Sequence, residues 1–320
     1  REVMGGPLTL AEAVTRALGT HPSVLGMAAR RSAAEAGLEG DRSTRLPSLI
    51  LTGGATEFEK PMIVTPIHAF EPSLTPPFDE TLFQGMALLE YTLYDGGNRG
   101  ARISASASES RAAGSDLLSA RQSLIVQVSE SFLATLSARD RLDAHDQRIA
   151  ALDVELSRVR DLFEVGRAPR VELLRVEAEV ANAQANRTRA QTSRRVAEAD
   201  LGRLTGVSTA TIRDTTLQEV ASVRSVRLDR TDLLAASMDG NASVRRARED
   251  LVSAEAGIDV ARGARFPSVG LHAAYVDRGS LDGHFTAEWN VGLSVTMPVF
   301  TGGRLSHGVS RAEALRDASY

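Results

Sequence analysis

Two stretches decide the fold. One is Ala34-Glu35-Ala36-Gly37, running on to Arg45-Leu46-Pro47-Ser48-Leu49; the other is Ala254-Glu255-Ala256-Gly257, running on to Arg265-Phe266-Pro267-Ser268-Val269. They lie 220 positions apart and align without a gap. Each reads as a helix that stops before a proline and turns into a strand. Upstream, His21-Pro22-Ser23-Val24 falls on Asn241-Ala242-Ser243-Val244 in the same register. Downstream, each copy reaches a strand ending in a glycine pair, Leu93-Tyr94-Asp95-Gly96-Gly97 and Val299-Phe300-Thr301-Gly302-Gly303. There the offset is 206, because the first copy carries 14 more residues between its proline and its glycines. An ordered series of such matches is a duplication. The expected organisation is a first repeat over 1–206 (helix, two strands, long helical hairpin), a connector over 207–228 rich in Thr, Ser and Val, and a second repeat over 229–320 that stops after its two strands.

The elements follow from periodicity. Thr9-Leu10-Ala11-Glu12 is a helix start with an N-cap threonine and an early acid. Pro22 is expected to divide the stretch from Leu8 to Arg45 into a short helix and a longer one. Pro61, Pro66, Pro72, Pro76 and Pro77 then mark a stiffened loop over 59–80, followed by a second strand over 81–94. From Asn98 to Val165 no proline interrupts the chain. Leu142, Ile149, Leu156 and Phe163 recur every seven residues, with Leu152 and Val159 between them. That is the a/d seam of a coiled coil, and a single helix of this span would be about 100 Å long at 1.5 Å per residue. Gly166 and Pro169 reverse the chain into a second helix that ends near Gly206, with Ala178, Ala181 and Ala185 as its expected buried face.

The last strand separates its two faces. Phe285, Ala287, Trp289, Val291, Leu293, Val295, Met297 and Val299 are apolar, while Thr286, Glu288, Asn290, Gly292, Ser294 and Thr296 lie between them. Superposing the glycine pairs puts Phe83, Leu89, Tyr91 and Leu93 on Trp289, Val295, Met297 and Val299, so both copies keep one phase. Four strands separated by long helices make a poor soluble sandwich. They suit a membrane barrel, whose strands need about 9 to 11 residues, apolar outward and polar inward, with aromatics at the interfaces. Trp289, Tyr91 and Tyr275 fit such a belt. Because the smallest such barrels use about eight strands, several protomers would have to share one.

Composition excludes other classes. A net charge of -4 gives no basic surface for nucleic acid. With no cysteine, disulfides, thiolate metal sites and thiol nucleophiles drop out together. No apolar run reaches the roughly 18 to 20 residues of a spanning helix. The start at Arg1, without an initiator methionine or an apolar leader, reads as a processed form or a fragment.

The chain resembles the TolC-like outer membrane efflux proteins. The resemblance runs over nearly the whole chain from Leu8 on. It rests on Leu8-Thr9-Leu10-Ala11-Glu12-Ala13, the two helix-to-strand prolines, the two Gly-Gly corners, and the hairpin Gly166-Arg167-Ala168-Pro169-Arg170-Val171-Glu172-Leu173-Leu174. It implies a mainly α fold with a membrane β part: a duplicated protomer of long coiled-coil helices plus four β-strands. Three protomers would form a homotrimer with a 12-stranded β-barrel and a periplasmic α-helical barrel. It implies a passive exit duct in the cell outer membrane, serving efflux or type I secretion. The implied partners are a periplasmic adaptor (membrane fusion protein), an inner-membrane transporter and outer membrane lipid. Adaptor docking would fall on the hairpin tip Gly166, Arg167, Ala168, Pro169, Arg170, Val171 and Leu174. Trp289, Val291, Leu293 and Val295 would face lipid. The alternative left open is a soluble periplasmic coiled-coil scaffold or adaptor.

The chain departs from the family pattern in two places. Members continue past the second glycine pair with another long hairpin, whereas this sequence ends at Tyr320, so the expectation is a protomer lacking that hairpin and its gating acids. Members also commonly carry Ser or Thr three residues after the hairpin glycine; here that place holds Pro169, which suits a first helical turn but cannot cap through its side chain.

No chemistry-bearing constellation emerges. The six histidines, His21, His68, His145, His272, His284 and His307, show no metal spacing. His272 falls on the polar face of its strand, as a wet lumen would have it. Gly96, Gly97, Gly302 and Gly303 lack the partners of a phosphate loop and read as strand-to-helix corners that glycine relaxes. Asp95 reads as a turn former. No catalytic residue, metal ligand or cofactor is expected.

Overall fold

The computed structural model describes residues 6–63, 77–218 and 229–319. Pro66, Pro72 and Pro76 of the expected loop and positions 219–228 of the expected connector lie outside the described residues. The chain divides into two compact units, residues 1–30 with 115–243 and residues 31–114 with 244–320, and each unit draws on both sequence copies.

The first unit is helical. α1 (Leu10–Thr20) opens with a reciprocal cap: the Thr9 hydroxyl accepts from the Glu12 amide at 3.2 Å, and the Glu12 carboxylate accepts from the Thr9 amide at 3.0 Å. α1 stops at Thr20 and α2 (Pro22–Ser43) begins at the proline, which needs no amide partner in a first turn. α3 (Asn98–Glu164) is one continuous helix of 67 residues. α4 (Arg170–Thr205) returns along it and ends at Gly206, which is left-handed at φ 72°. The seam follows period seven as far as Val159, with Leu142 and Val159 buried and Ile149, Leu152 and Leu156 half-buried, but its last member, Phe163, is exposed beside the reversal.

The facing side of α4 differs from expectation. Ala178, Ala181 and Ala185 are exposed, whereas Val180 and Ala183 are buried and Leu173 and Val176 are half-buried. α4 has apolar residues on two sides, and the side with the larger side chains removes more area from water against α3.

The core of this unit gathers Leu8, Ala13, Ala17, Val24, Leu124, Val128, Phe132, Leu201 and Ile212. Burying each leucine-sized side chain contributes about 1.5 to 3 kcal/mol. The segment after Gly206 is more than a connector. It forms α5 (Thr209–Asp214), and Leu217 then pairs with Leu8, whose amide donates to the Thr216 carbonyl at 2.8 Å. Arg139 on α3 fastens this segment by donating to the carbonyls of Ile212 (2.5 Å) and Thr215 (2.8 Å). α6 (Arg230–Gly240) begins at the N-cap Asp229.

The second unit carries the strands. α7 (Ala242–Gly263) has the length of α2, 22 residues, and α6 has the length of α1, 11 residues, each at the 220-residue offset. The strands are β1 (Ser48–Glu57), the two-residue pair β2 (Met62–Ile63) and β3 (Pro77–Phe78), β4 (Thr81–Tyr94), β5 (Ser268–Ser280) and β6 (Phe285–Thr296). Pro77, expected in a loop, thus lies in a short strand. β6 stops at Thr296 rather than Val299, because Pro298 has no amide for the ladder. α8 (Arg304–Asp317) follows the second glycine pair. Arg111 on α3 pairs with Glu249 on α7 at 2.8 Å, and Arg262 on α7 with Glu313 on α8 at 3.1 Å.

Candidate functional site

The four long strands form one antiparallel sheet in the order β1-β4-β5-β6. Opposed residues in an antiparallel ladder share a face, so the register sorts the side chains. One layer holds Leu49, Leu89, Ala273 and Val291; the next holds Leu51, Ala87, Tyr275 and Trp289. Leu293 opposes Leu271, which opposes Tyr91, and Val295 opposes Val269. This apolar face is open: Trp289 is 75%, Val291 60%, Leu293 66% and Val295 69% exposed. An ordinary soluble protein rarely leaves so continuous an apolar surface uncovered.

The opposite face is mixed and wetter. It carries Thr52, Gln84, Glu90, His272, Arg278, Glu288, Asn290 and Ser294. Arg278 donates to Glu288 at 2.6 Å across β5 and β6. Both outer strands, β1 and β6, have one edge with no strand partner among the described residues. Two such edges are templates for pairing with other chains.

The corners are built on left-handed glycines. Gly96 and Gly97 have φ of 65° and 84°, and Gly302 and Gly303 have 59° and 84°. Asp95 does more than form a turn: its carboxylate accepts from the Arg99 amide at 2.9 Å and pairs with the Arg99 guanidinium at 3.0 Å, so it caps α3.

The hairpin tip is a tight reversal. Gly166 is left-handed at φ 75°, and the amides of Arg167 and Ala168 both donate to the Leu162 carbonyl, at 2.7 and 3.1 Å. Pro169 takes the N-cap place of α4 with no side-chain bond, and its carbonyl accepts from Glu172 at 3.0 Å. Arg167, Arg170, Val171 and Leu174 are exposed and Ala168 half-buried; Val165 also stands in solvent. Behind the tip, Glu155 is held below the usual carboxylate range by the Arg158 guanidinium hydrogen-bonded to it.

One cluster escaped the sequence reading. Glu198 on α4 is fully buried, with Arg139, Arg194 and Arg213 at 3.4, 3.7 and 3.8 Å from its carboxylate. The Arg194–Glu198 spacing of i,i+4 was a readable signal; the approach of Arg139 from another helix was not. Among the described residues no group of side chains could hold a metal ion, and no helix is long and apolar enough to cross a membrane.

A four-stranded sheet with one apolar face and two open edges, together with long helices, is a fold shared with solved outer membrane channel chains. The Outer membrane efflux protein model matches residues 13–207 and 233–320, and the chain belongs to that family. It is 23% identical over 313 residues to the outer membrane protein TolC of Vibrio cholerae, covering 95% of this chain and 68% of that protein. It is 27% identical over 282 residues to the toluene efflux pump outer membrane protein TtgF of Pseudomonas putida, covering 87% of this chain and 56% of the relative. The Campylobacter jejuni CmeC outer membrane channel superposes with a TM-score of 0.80 at 19% identity, over 97% of this chain and 66% of that one. This last likeness is one of fold.

Proposed function

We propose that this chain is a protomer of a passive exit duct for efflux across the outer membrane. The observation that carries the reading is the sheet. Its four strands have an uncovered apolar face and two open edges, too few strands to close alone. Three copies joined edge to edge give twelve strands, which closes the barrel and removes every open edge. Lipid then covers Trp289, Val291, Leu293 and Val295, and the mixed face lines a wet lumen. The helices continue the conduit into the periplasm. The tip from Gly166 to Leu174 receives a periplasmic adaptor, and an inner-membrane transporter delivers cargo to the aligned duct. The protein's part is alignment and passage, with no bond made or broken. The named relatives, an outer membrane TolC and a component of a toluene efflux pump, support this role.

The test compares the two faces of β6 in the full-length gene product. Leu293→Lys is expected to cost about 2 to 4 kcal/mol if the residue lies near the bilayer midplane. Its neighbour Ser294→Asp changes the other face and should assemble nearly as wild type. Outer membrane fractionation followed by carbonate extraction reads both. Equal tolerance of the two changes would remove the barrel.

A further inference from the structure

The wet face of the sheet carries few charges, and they are unevenly arranged. At one end Arg278 and Glu288 cancel each other in an ion pair of 2.6 Å. Toward the helices lies Glu90, opposed in register by His272 on β5. Proximity suggests a second pair, yet the geometry denies it. A Cβ built at Gly292 would meet the His272 ring at 2.6 Å, so the imidazole lies across β6 over that glycine, on the side away from β4. The exposed carboxylate of Glu90 has no ion-pair partner among the described residues. The remaining members of this face in β1, β4, β5 and β6 are hydroxyl, amide, glycine and apolar residues. The other two carboxylates of the sheet, Glu57 and Asp277, belong to the opposite face, opposing Thr81 and Gly85.

We propose that Glu90 is the residue that sets the charge preference of the barrel lumen, favouring cationic over anionic solutes. This rests on the duct reading given above. In a threefold assembly symmetry places the three Glu90 carboxylates at one height, and rings of fixed charge are a recurring source of pore selectivity. A low-dielectric wall focuses their field into the lumen. The field reaches about 10 Å at 0.1 M salt and about 3 Å at 1 M. The preference should therefore be visible at low ionic strength and fade as salt is raised.

The experiment is planar-bilayer recording of the purified full-length channel under a KCl gradient, with the reversal potential as readout. Wild type is expected to favour potassium over chloride, Glu90→Gln to move the reversal potential toward zero, and Glu90→Lys to invert its sign. Asp277→Asn, on the other face, should leave it unchanged. These 320 residues contain no cysteine; with any cysteine elsewhere in the full-length protein replaced by serine, Glu90→Cys adds a further measurement on one folded protein. A negatively charged methanethiosulfonate reagent should restore the cation preference, and a positively charged one should reverse it. Channels of normal conductance whose reversal potential ignores every change at Glu90 would overturn the assignment. Absence of any channel from the wild-type protein would instead remove the duct itself, and the assignment with it.

Discussion

Gly96 and Gly302 occupy the same place in the two copies, but their surroundings differ. Both are left-handed, at φ of 65° and 59°. A Cβ on Gly96 would lie 2.6 Å from the Gly263 carbonyl oxygen and 2.6 Å from the Phe266 Cβ, whereas nothing stands within 4 Å of one on Gly302. Alanine at either site takes the left-handed penalty of about 1 to 2 kcal/mol. At Gly96 it must also push backbone away from backbone, which a packed corner cannot absorb by turning a rotamer. Gly96→Ala should therefore destabilise clearly more than Gly302→Ala, as read by denaturant midpoints of the two variants. Equal midpoints would mean the first corner is as open as the second. The need for glycine here was legible in the sequence, since two Gly-Gly pairs follow two strands. The asymmetry was not, because Gly263 and Phe266 come from the far copy. The Glu198 cluster was hidden because Arg139 comes from another helix and Arg213 from beyond the end of α4, so only Arg194, one turn away, could be read.

At the scale of elements, what the sequence made legible was whatever has a local period. The alternation from Phe285 onward gave β6, the sevenfold seam gave α3, and the 220-residue offset paired α1 with α6 and α2 with α7. What it could not reveal depends on neighbours. The buried side of α4 was misplaced by one to two residues, nearly to the opposite side of the helix at about 100° per residue, since two of its sides are apolar and only the location of α3 chooses between them. α5 has six residues, too short for a periodic signal. The start of α1 was legible as an N-cap threonine with an early acid, and the reciprocal cap that the structure adds predicts a pH response. Hydrogen bonds from the Thr9 backbone and hydroxyl hold the Glu12 carboxyl below its ordinary value. A depressed carboxylate stabilises the fold above the unfolded-state value and loses that contribution as pH falls through the lowered one. Acidification into that window should raise hydrogen exchange in the first turn of α1, after correction for intrinsic rates. Thr9→Ala, at a cost of about 0.5 to 2 kcal/mol, removes the hydroxyl but keeps the backbone amide that donates to Glu12, so it should loosen the turn throughout and shrink the pH response, whereas Glu12→Gln should abolish it. A response that persists in full in Glu12→Gln would show that the titrating group is not Glu12.

For the whole molecule, the question is how the hairpin tip serves an assembly. Val171 and Leu174 are exposed at i,i+3 on the first turn of α4, the spacing at which one helix face offers anchors to an apolar groove. Val165 is exposed on the other arm of the reversal, and Arg167 and Arg170 flank it. A solvated turn has no need of three large apolar side chains in water, and the adaptor contact proposed above would cover them. Gly166 has open space around it, so Gly166→Val strains only the left-handed backbone. Val171→Glu and Leu174→Glu leave the seam of α3 and α4 intact, since Val159 and Val180 carry it and lie buried elsewhere. Placed in the full-length gene product, each substitution should leave trimers in the outer membrane. Crosslinking to the periplasmic adaptor should fall, and efflux of a toxic compound should fall with it. Loss of trimers would make the tip a folding element, and full efflux with all three changes combined would reduce it to a turn.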